Sequence, residues 1–218
     1  MSDPPLVFKA SVAGKNGRVD VVQGDKQYKT GDYLLTSDGG ETFWIVSVKK
    51  KEATRFTTEK LRKEGSKEKF NLSDISLSPP AASGAGEAVG GVVTNQFRTA
   101  RDYRIVAREL FFSVNIAVSE TWDFQIARDA ANLPSFNPVI SLLALQNSAV
   151  LFKHDAFATG GYRNTVPKGF ALRVVAEGVS TEGRKKEREV SVITCDTPVA
   201  APQPPSLFAL GEGIRRKE

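Results

Sequence analysis

The stretch LFFSVNIAV, residues 110–118, decides the fold class of this chain. From Phe112 onward every second residue is apolar, and the polar Ser113 and Asn115 stand between them. Because successive side chains of a β-strand point to opposite faces, this alternation predicts a strand with one face against a core. Residues 122–126 repeat the alternation, so we expect a sheet that is buried on one side.

Further strands are predicted downstream of this stretch. Residues 170–177 and 187–195 are rich in β-branched and apolar residues, and the loop between them makes a long hairpin with the basic tip Arg184, Lys185 and Lys186. Residues 139–152 fit either a short helix or a buried strand, because periodicity alone does not separate the two. We therefore predict an antiparallel β-sandwich or jelly-roll-like unit over residues 96–198.

The first fifty residues predict a small β-meander or barrel. Short apolar runs are separated by turn sequences such as GKNG at 14–17 and SDGG at 37–40, whose glycines can take the positive φ values that tight hairpins demand. The segment resembles the SH3-like and Tudor-like small barrels, in which a Gly-Asp pair begins a strand and an aromatic strand follows a Gly-rich hairpin. The residues that carry the resemblance are Tyr28, Gly31, Asp32, Tyr33, Gly39, Gly40, Phe43 and Trp44.

This resemblance covers roughly a quarter of the chain, and no family function transfers from it. It implies an aromatic surface for a cation or a base, formed by Tyr28, Tyr33 and Trp44. The alternative is that at least two of these three residues belong to the core, since aromatic side chains bury large apolar areas.

Three segments are predicted to connect or extend the two units. Residues 51–77 form a basic charged connector, whose apolar residues match neither a helical stripe nor a strand face. Residues 78–95 predict a flexible linker, because small residues, prolines and glycines bury too little surface to offset the entropy of ordering. Residues 199–218 predict a Pro-rich basic tail outside any sheet. Its apolar residues are candidates for contact with a neighbouring subunit, with docking onto their own domain as the alternative: Leu207, Phe208 and Leu210.

The formal net charge of +5 and the pI near 9.3 favour an anionic partner such as nucleic acid. Candidate phosphate-binding residues fall in three clusters. They are Lys49, Lys50 and Lys51 around the start of the connector, Arg98, Arg101, Arg104 and Arg108 in the second unit, and Arg184, Lys185 and Lys186 at the hairpin tip. On a helix the four arginines would share one face, whereas on a strand Arg104 and Arg108 would share a face without Arg101. The alternative for each cluster is a solvated surface whose charges serve solubility.

The chain contains only one His and one Cys, which are the residue types that most often act in catalysis and metal binding. A zinc site cannot be built from His154 and Cys195 without several carboxylates, and no Gly-rich loop is followed by Lys-Ser or Lys-Thr. Asp155 follows His154, but adjacent residues of a strand point to opposite faces. We expect no enzyme activity, no cofactor, no metal ion and no small-molecule substrate.

We expect an intracellular soluble protein, which would be located in the host cytoplasm or in the virion if it is viral. The opening residues MSDPP have neither the basic nor the apolar region of a signal peptide, and one cysteine cannot form an intramolecular disulfide. The longest apolar stretch, residues 139–152, is shorter than the ~20 residues that a membrane span requires.

These properties favour a non-enzymatic structural or assembly protein of the virus or phage coat, matrix or movement type, which forms a homo-oligomer and contacts nucleic acid. Flexible basic segments, Pro-rich ends and β-sandwich units without active-site residues occur together in such proteins. The alternative is a cellular reader or adaptor that binds a peptide or nucleic acid through Tyr33 and Trp44 of its N-terminal barrel.

Overall fold

The computed structural model describes residues 5–26, 28–57, 59–60, 63, 70–109, 112–128, 133–147, 165–196, 198–199 and 201–217. Within these ranges the side chains at positions 108, 109, 112 and 143–147 are not described. The described residues are mainly β, as the sequence predicts, and they form two six-stranded sheets.

The first sheet is an antiparallel meander that the end of the chain extends. Its strands are β1 (Val7–Ala13), β2 (Asn16–Gln23), β3 (Tyr33–Thr36), β4 (Phe43–Ser47), β5 (Glu52–Phe56) and β12 (Arg215–Lys217). Neighbouring strands from β1 to β5 pair in sequence order, and β12 adds to β5 in parallel with Arg215 opposite Glu52. Gly14, at φ 58°, sits in the turn between β1 and β2.

The second sheet is built around two long hairpins. Its strands are β6 (Phe70–Leu77), β7 (Ala81–Ala85), β8 (Thr94–Glu109), β9 (Phe112–Ala127), β10 (Ala171–Glu182) and β11 (Lys185–Thr194). Their order in the sheet is β11-β10-β9-β8-β6, and β7 pairs with the first part of β8 beside β6. Gly183, at φ 58°, lies in the turn between β10 and β11.

The largest core cluster joins residues of both sheets. Val19 and Phe43 of the first sheet share it with Tyr103 of β8, and Leu142 of the helix α1 (Pro138–Asn147) completes it. The arrangement is therefore sandwich-like. Helix α1 also resolves part of the ambiguous segment 139–152, since Pro138–Asn147 is helical and 148–152 lie outside the described residues.

The pleat of β9 confirms the alternation that the sequence predicts. Trp122, Phe124 and Ile126 are buried in a second cluster, to which Ile140 of α1 contributes. Ser113 and Asn115 are exposed on the opposite face. The apolar period of two therefore identified the buried face of this strand correctly.

The structure differs from the sequence prediction in the three connecting segments. The predicted connector 51–77 contributes β5 and β6, the predicted linker 78–95 contains β7 and a bridge between Val89 and Val92, and the predicted tail ends in β12. All five residues of β7 are exposed, so this strand is ordered by backbone pairing with β8 rather than by side-chain burial. Amino-acid composition indicates whether side chains will be buried. It does not indicate a strand such as β7, which is held by backbone hydrogen bonds while its side chains are exposed.

Candidate interaction surfaces

The predicted arginine cluster lies on β8, where the strand pleat divides it between two faces. Arg98 and Arg104 point to the outer face of the second sheet, while Arg101 is fully buried on the inner face. The strand alternative is therefore confirmed over the helical one. Arg108 belongs to the same strand, but its side chain lies outside the described residues.

The outer-face arginines have carboxylate partners on neighbouring strands. Arg98 Nε and Nη2 donate to the two oxygens of Asp123 at 2.7 and 3.0 Å, and this hydrogen bonding raises the pKa of Arg98. Arg104 Nε donates to Asp74 at 3.0 Å, and its Nη1 donates to Asn115 at 2.9 Å. The carboxylates of Asp123 and Asp74 therefore offset the positive charges of the two arginines that were predicted to bind phosphate.

Arg101 is held inside the molecule by a polar network. Its Nη1 lies 3.6 Å from Glu120 Oε2, its Nη2 donates to Thr165 Oγ1 at 3.0 Å, and its guanidinium lies 4.6 Å from the ring centre of Trp122. Glu120 also accepts hydrogen bonds from the Tyr103 hydroxyl at 2.8 Å and from Trp122 Nε1 at 3.2 Å. Burial lowers the pKa of Arg101. The side chain of Arg101 is therefore inaccessible to a phosphate in this structure.

The remaining basic candidates occupy exposed turns. Lys49, Lys50 and Lys51 form the turn between β4 and β5, and Lys51 has φ 53°. Arg184 and Lys186 lie at the exposed tip of the hairpin between β10 and β11, where Lys185 forms an ion pair with Glu187 at 2.7 Å. Lys186 also lines a shallow groove of about 270 Å³ on the outer face, together with Arg104 and Asp102.

The aromatic residues of the first sheet do not form one open surface. Tyr28 and Tyr33 are buried, as the core alternative predicts, and the Arg18 guanidinium lies 4.0 Å from the ring centre of Tyr33. Trp44 is half-buried, and the Arg216 guanidinium lies 5.5 Å from its ring centre. The rings of Tyr33 and Trp44 therefore each lie close to a guanidinium of the same chain.

The end of the chain docks onto this part of the first sheet. Leu210 and Ile214 pack against a buried cluster that includes Tyr33 and Val46. The Gly211 N–H donates to the Tyr33 hydroxyl at 3.2 Å. Leu210 therefore docks onto its own chain, which is the alternative to a subunit contact. Leu207 and Phe208 are half-buried in a short 3₁₀ helix (Pro205–Phe208), and their contact with a neighbouring subunit stays a prediction.

Glu52 is the polar anchor of this docking and was not singled out from the sequence. Its carboxylate pairs with Arg215 and with Lys217, whose Nζ lies 2.6 Å from Oε2. The hydrogen bonds from Lys217 and Arg215 lower the pKa of Glu52. A carboxylate inside a basic stretch was the only sequence signal, and it did not indicate which distant residues pair with it.

The strand β11 carries a second feature that the sequence did not reveal. It is the last strand of the second sheet, and within the described part of the chain no strand pairs with its far side. Val190 and Val192 are 50% and 56% exposed on its outer face. An open strand edge with exposed apolar residues is a template for pairing with another chain.

Of the two residues considered for catalysis, only Cys195 belongs to the described part of the chain. Cys195 accepts a hydrogen bond from Asn137 Nδ2 at 3.0 Å, and burial raises the pKa of its thiol. His154 lies outside the described residues, and the described residues contain no group of three or more potential metal ligands. No described helix has the length and apolar character needed to cross a membrane. Comparison of the chain with protein-family models, curated proteins and solved structures finds no match.

Proposed function

We propose that this chain is a non-enzymatic structural protein that assembles with copies of itself, of the coat, matrix or movement type found in viruses and phages. The observation that carries the proposal is the edge of β11, because no strand of the described residues pairs with its far side. Support for the viral class is architectural, because two-sheet β proteins with basic segments and pairing edges recur in such assemblies.

The backbone of β11 is oriented to pair with another strand. The Cys195 N–H donates to Leu172 O at 2.7 Å, on the side of β10. Opposite residues of an antiparallel pair alternate between bonded and non-bonded, so the register Arg173↔Thr194 assigns the odd-numbered residues of β11 to β10. The even-numbered residues, including Val190 and Val192, direct their N–H and C=O groups toward the open edge.

The occupant that fits this edge is β11 of a second copy. Antiparallel pairing with Val190 opposite Val192 joins the exposed valines of both copies on one face. The same register places Lys186 opposite Asp196 and Arg188 opposite Thr194. Directly opposed like charges, which destabilise strand pairs, are thus absent from this register.

Contact with nucleic acid is the second part of the proposal. The basic residues with exposed side chains in turns, above all Arg184, Lys186 and the turn 49–51, are available to contact phosphates. Binding by these residues is electrostatic and falls steeply with added salt. The reader alternative has less support, because Tyr33 is buried and Arg216 covers Trp44.

Light scattering of the wild type and of the double variant Val190→Lys, Val192→Lys tests the proposal. We expect the wild type to have a multiple of the 23.7 kDa chain mass, and the double variant to have the mass of one chain. Lysines at a strand edge oppose pairing through charge repulsion and the cost of desolvation.

The matched control is Val22→Lys, a 53% exposed valine on β2 of the first sheet, which should leave the mass of the assembly unchanged. Nuclease treatment at low and high salt separates mass that belongs to bound nucleic acid from mass that belongs to subunits. A wild type with the mass of one chain at all concentrations, or an equal mass for wild type and double variant, would reject assembly through β11.

A further inference from the structure

The C-terminal arm, residues 205–217, is bound to the first sheet in the way that a separate peptide ligand would be. Its strand β12 extends the sheet by parallel pairing with β5, from Arg215↔Glu52 to Lys217↔Thr54. Apolar residues of the arm fill positions beside this strand, and basic residues meet an acidic one. Strand addition of this kind combines backbone hydrogen bonds with side-chain pockets and is a common mode of peptide recognition.

The acceptor on the first sheet has three parts. An apolar part, next to Tyr33 and Val46, receives Leu210 and Ile214. An aromatic part is the Trp44 ring, whose centre lies 5.5 Å from the Arg216 guanidinium. An acidic part is Glu52, which pairs with Arg215 and Lys217 on either side of Arg216.

The acceptor is assembled by elements that do not include the arm. Strands β2 to β5 pair with one another in sequence order, with Tyr33 opposite Val46 and Ser47 opposite Glu52. The arm adds to the finished edge of β5. Two further hydrogen bonds hold its beginning, from Arg18 Nη1 to Leu207 O at 3.2 Å and from the Gly211 N–H to the Tyr33 hydroxyl at 3.2 Å.

A tether that contains prolines joins the arm to β11, and its length limits how far the arm can extend from its own acceptor. Residues 196–204 contain three prolines, and Val199 is 86% exposed. In the extended polyproline conformation these nine residues would reach about 28 Å, at ~3.1 Å per residue. This reach is close to the diameter of a small domain, about 30 Å.

We propose that the acceptor on β4 and β5 also binds the C-terminal arm of a second copy, so that two chains exchange their arms. The same contacts form in both arrangements, and exchange of an identical element is a low-cost route to association. Docking within one chain is favoured by the high effective concentration that the tether provides, so exchange increases with protein concentration. This contact is separate from β11 and does not depend on the function proposed above.

A charge-reversal pair of full-length chains tests the exchange. One chain carries Glu52→Arg and keeps its natural arm, and the other carries Arg215→Glu with Lys217→Glu and keeps its natural acceptor. Each chain alone opposes docking by like charges, both within itself and between identical copies. In the mixture both acceptors meet a complementary arm only across the two chains, so we expect a heterodimer in light scattering and in energy transfer between labelled chains.

Both chains also carry Val190→Lys and Val192→Lys, so that pairing through β11 does not contribute. A single chain with all three charge reversals is the matched control, and it should dock its own arm and resist proteolysis of the arm as the wild type does. A protected arm in this control together with no heterodimer in the mixture would overturn the proposal, since the arm would then act only within its own chain. The two proposals can fail separately. If the mixture forms a heterodimer but the wild type and the Val190→Lys, Val192→Lys variant have equal mass, the exchange is supported and assembly through β11 is rejected.

Binding of a labelled peptide of residues 205–218 provides a second measurement on the same chains. The chain with Arg215→Glu and Lys217→Glu has an intact acceptor, and it should bind the peptide about tenfold more tightly than the Glu52→Arg chain, a factor that corresponds to the loss of surface ion pairs. Circular dichroism of each chain verifies that the sheets are formed. Equal affinity of the two folded chains for the peptide would also overturn the proposal.

Discussion

Arg98 and Arg101 stand three residues apart on β8 and have opposite environments. Arg98 is exposed on the outer face and donates hydrogen bonds to both carboxylate oxygens of Asp123. Arg101 is fully buried on the inner face, between Trp122 and a carboxylate that two other side chains also bind. The two residues have the same chemistry, and only the side of the pleat on which each one lies distinguishes them.

The difference shows that a row of arginines in a strand is not one functional unit. The outer residues form ion pairs in water, where the attraction is screened and contributes little to stability. The inner residue has lost its hydration, so its ion pair and its hydrogen bonds must replace what water supplied. The outer face is therefore tolerant of change, and the inner face is not.

Replacing Arg101 should have the largest effect on stability. Arg101→Ala leaves Glu120 without its cation in the interior, and we expect a loss of about 3–5 kcal/mol in the free energy of unfolding. Urea unfolding at pH 7 measures this change. The combined variant Arg101→Met, Glu120→Gln removes both charges and keeps most of the volume, so it should lose less than Arg101→Ala alone. A loss below about 1 kcal/mol for Arg101→Ala would mean that the inner network is not a stabilising element.

The hydroxyl of Tyr103 gives the inner face a dependence on alkaline pH. Burial is the main cause that raises the pKa of Tyr103 far above its ordinary value, and Glu120 adds to it. Above about pH 10 the unfolded chain releases this proton while the folded chain retains it, so the stability is complete below that pH and falls as the pH rises further. Tyr103→Phe lacks this titration. The difference in urea midpoint between wild type and variant should shrink between pH 8 and pH 11, and a constant difference would contradict the assignment.

Replacing the outer arginines should have the smallest effect. Arg98→Ala and Arg104→Ala each remove an exposed ion pair, and we expect losses within about 1 kcal/mol. Their binding to DNA or RNA should also resemble that of the wild type, because Asp123 and Asp74 already engage these charges. Electrophoretic mobility at several salt concentrations tests this point, with Arg184→Ala, Lys186→Ala as the comparison. Weaker binding for Arg98→Ala than for that double variant would restore the predicted role of the outer arginines.

Much of the fold is accessible from the sequence, because alternation is a local signal. The apolar period of two in β9 and the strands on either side of Gly183 follow from it, and the structure contains them. On β8, Arg101 lies on the same face as Phe97 and Tyr103, but its charge predicted an exposed side chain, so its burial was not evident from the sequence. The four arginines were grouped as one cluster by their spacing along the chain, although the strand alternative already placed Arg101 on a different face from Arg104 and Arg108.

The candidate surfaces were less accessible, because each one depends on residues that are distant in the chain. Glu52 meets Lys217 only because the arm returns to β5, and Trp44 meets Arg216 for the same reason. Composition indicated a tail after Pro198, since prolines do not extend a sheet. It did not indicate that the residues beyond the prolines would pair with a strand more than 150 positions away.

The sequence by itself determined the mainly β class, the buried face of β9 and the scarcity of catalytic side chains, because these properties depend on neighbouring residues or on composition alone. Tertiary structure decided which edge of each sheet is covered, by placing β12 on β5 and by leaving β11 as the last strand of the described sheet. It also decided that Arg101 is interior while Arg98 is not. The physical reason is that strand pairing and burial are long-range properties, set by the free energy of the whole packed chain rather than by any single segment.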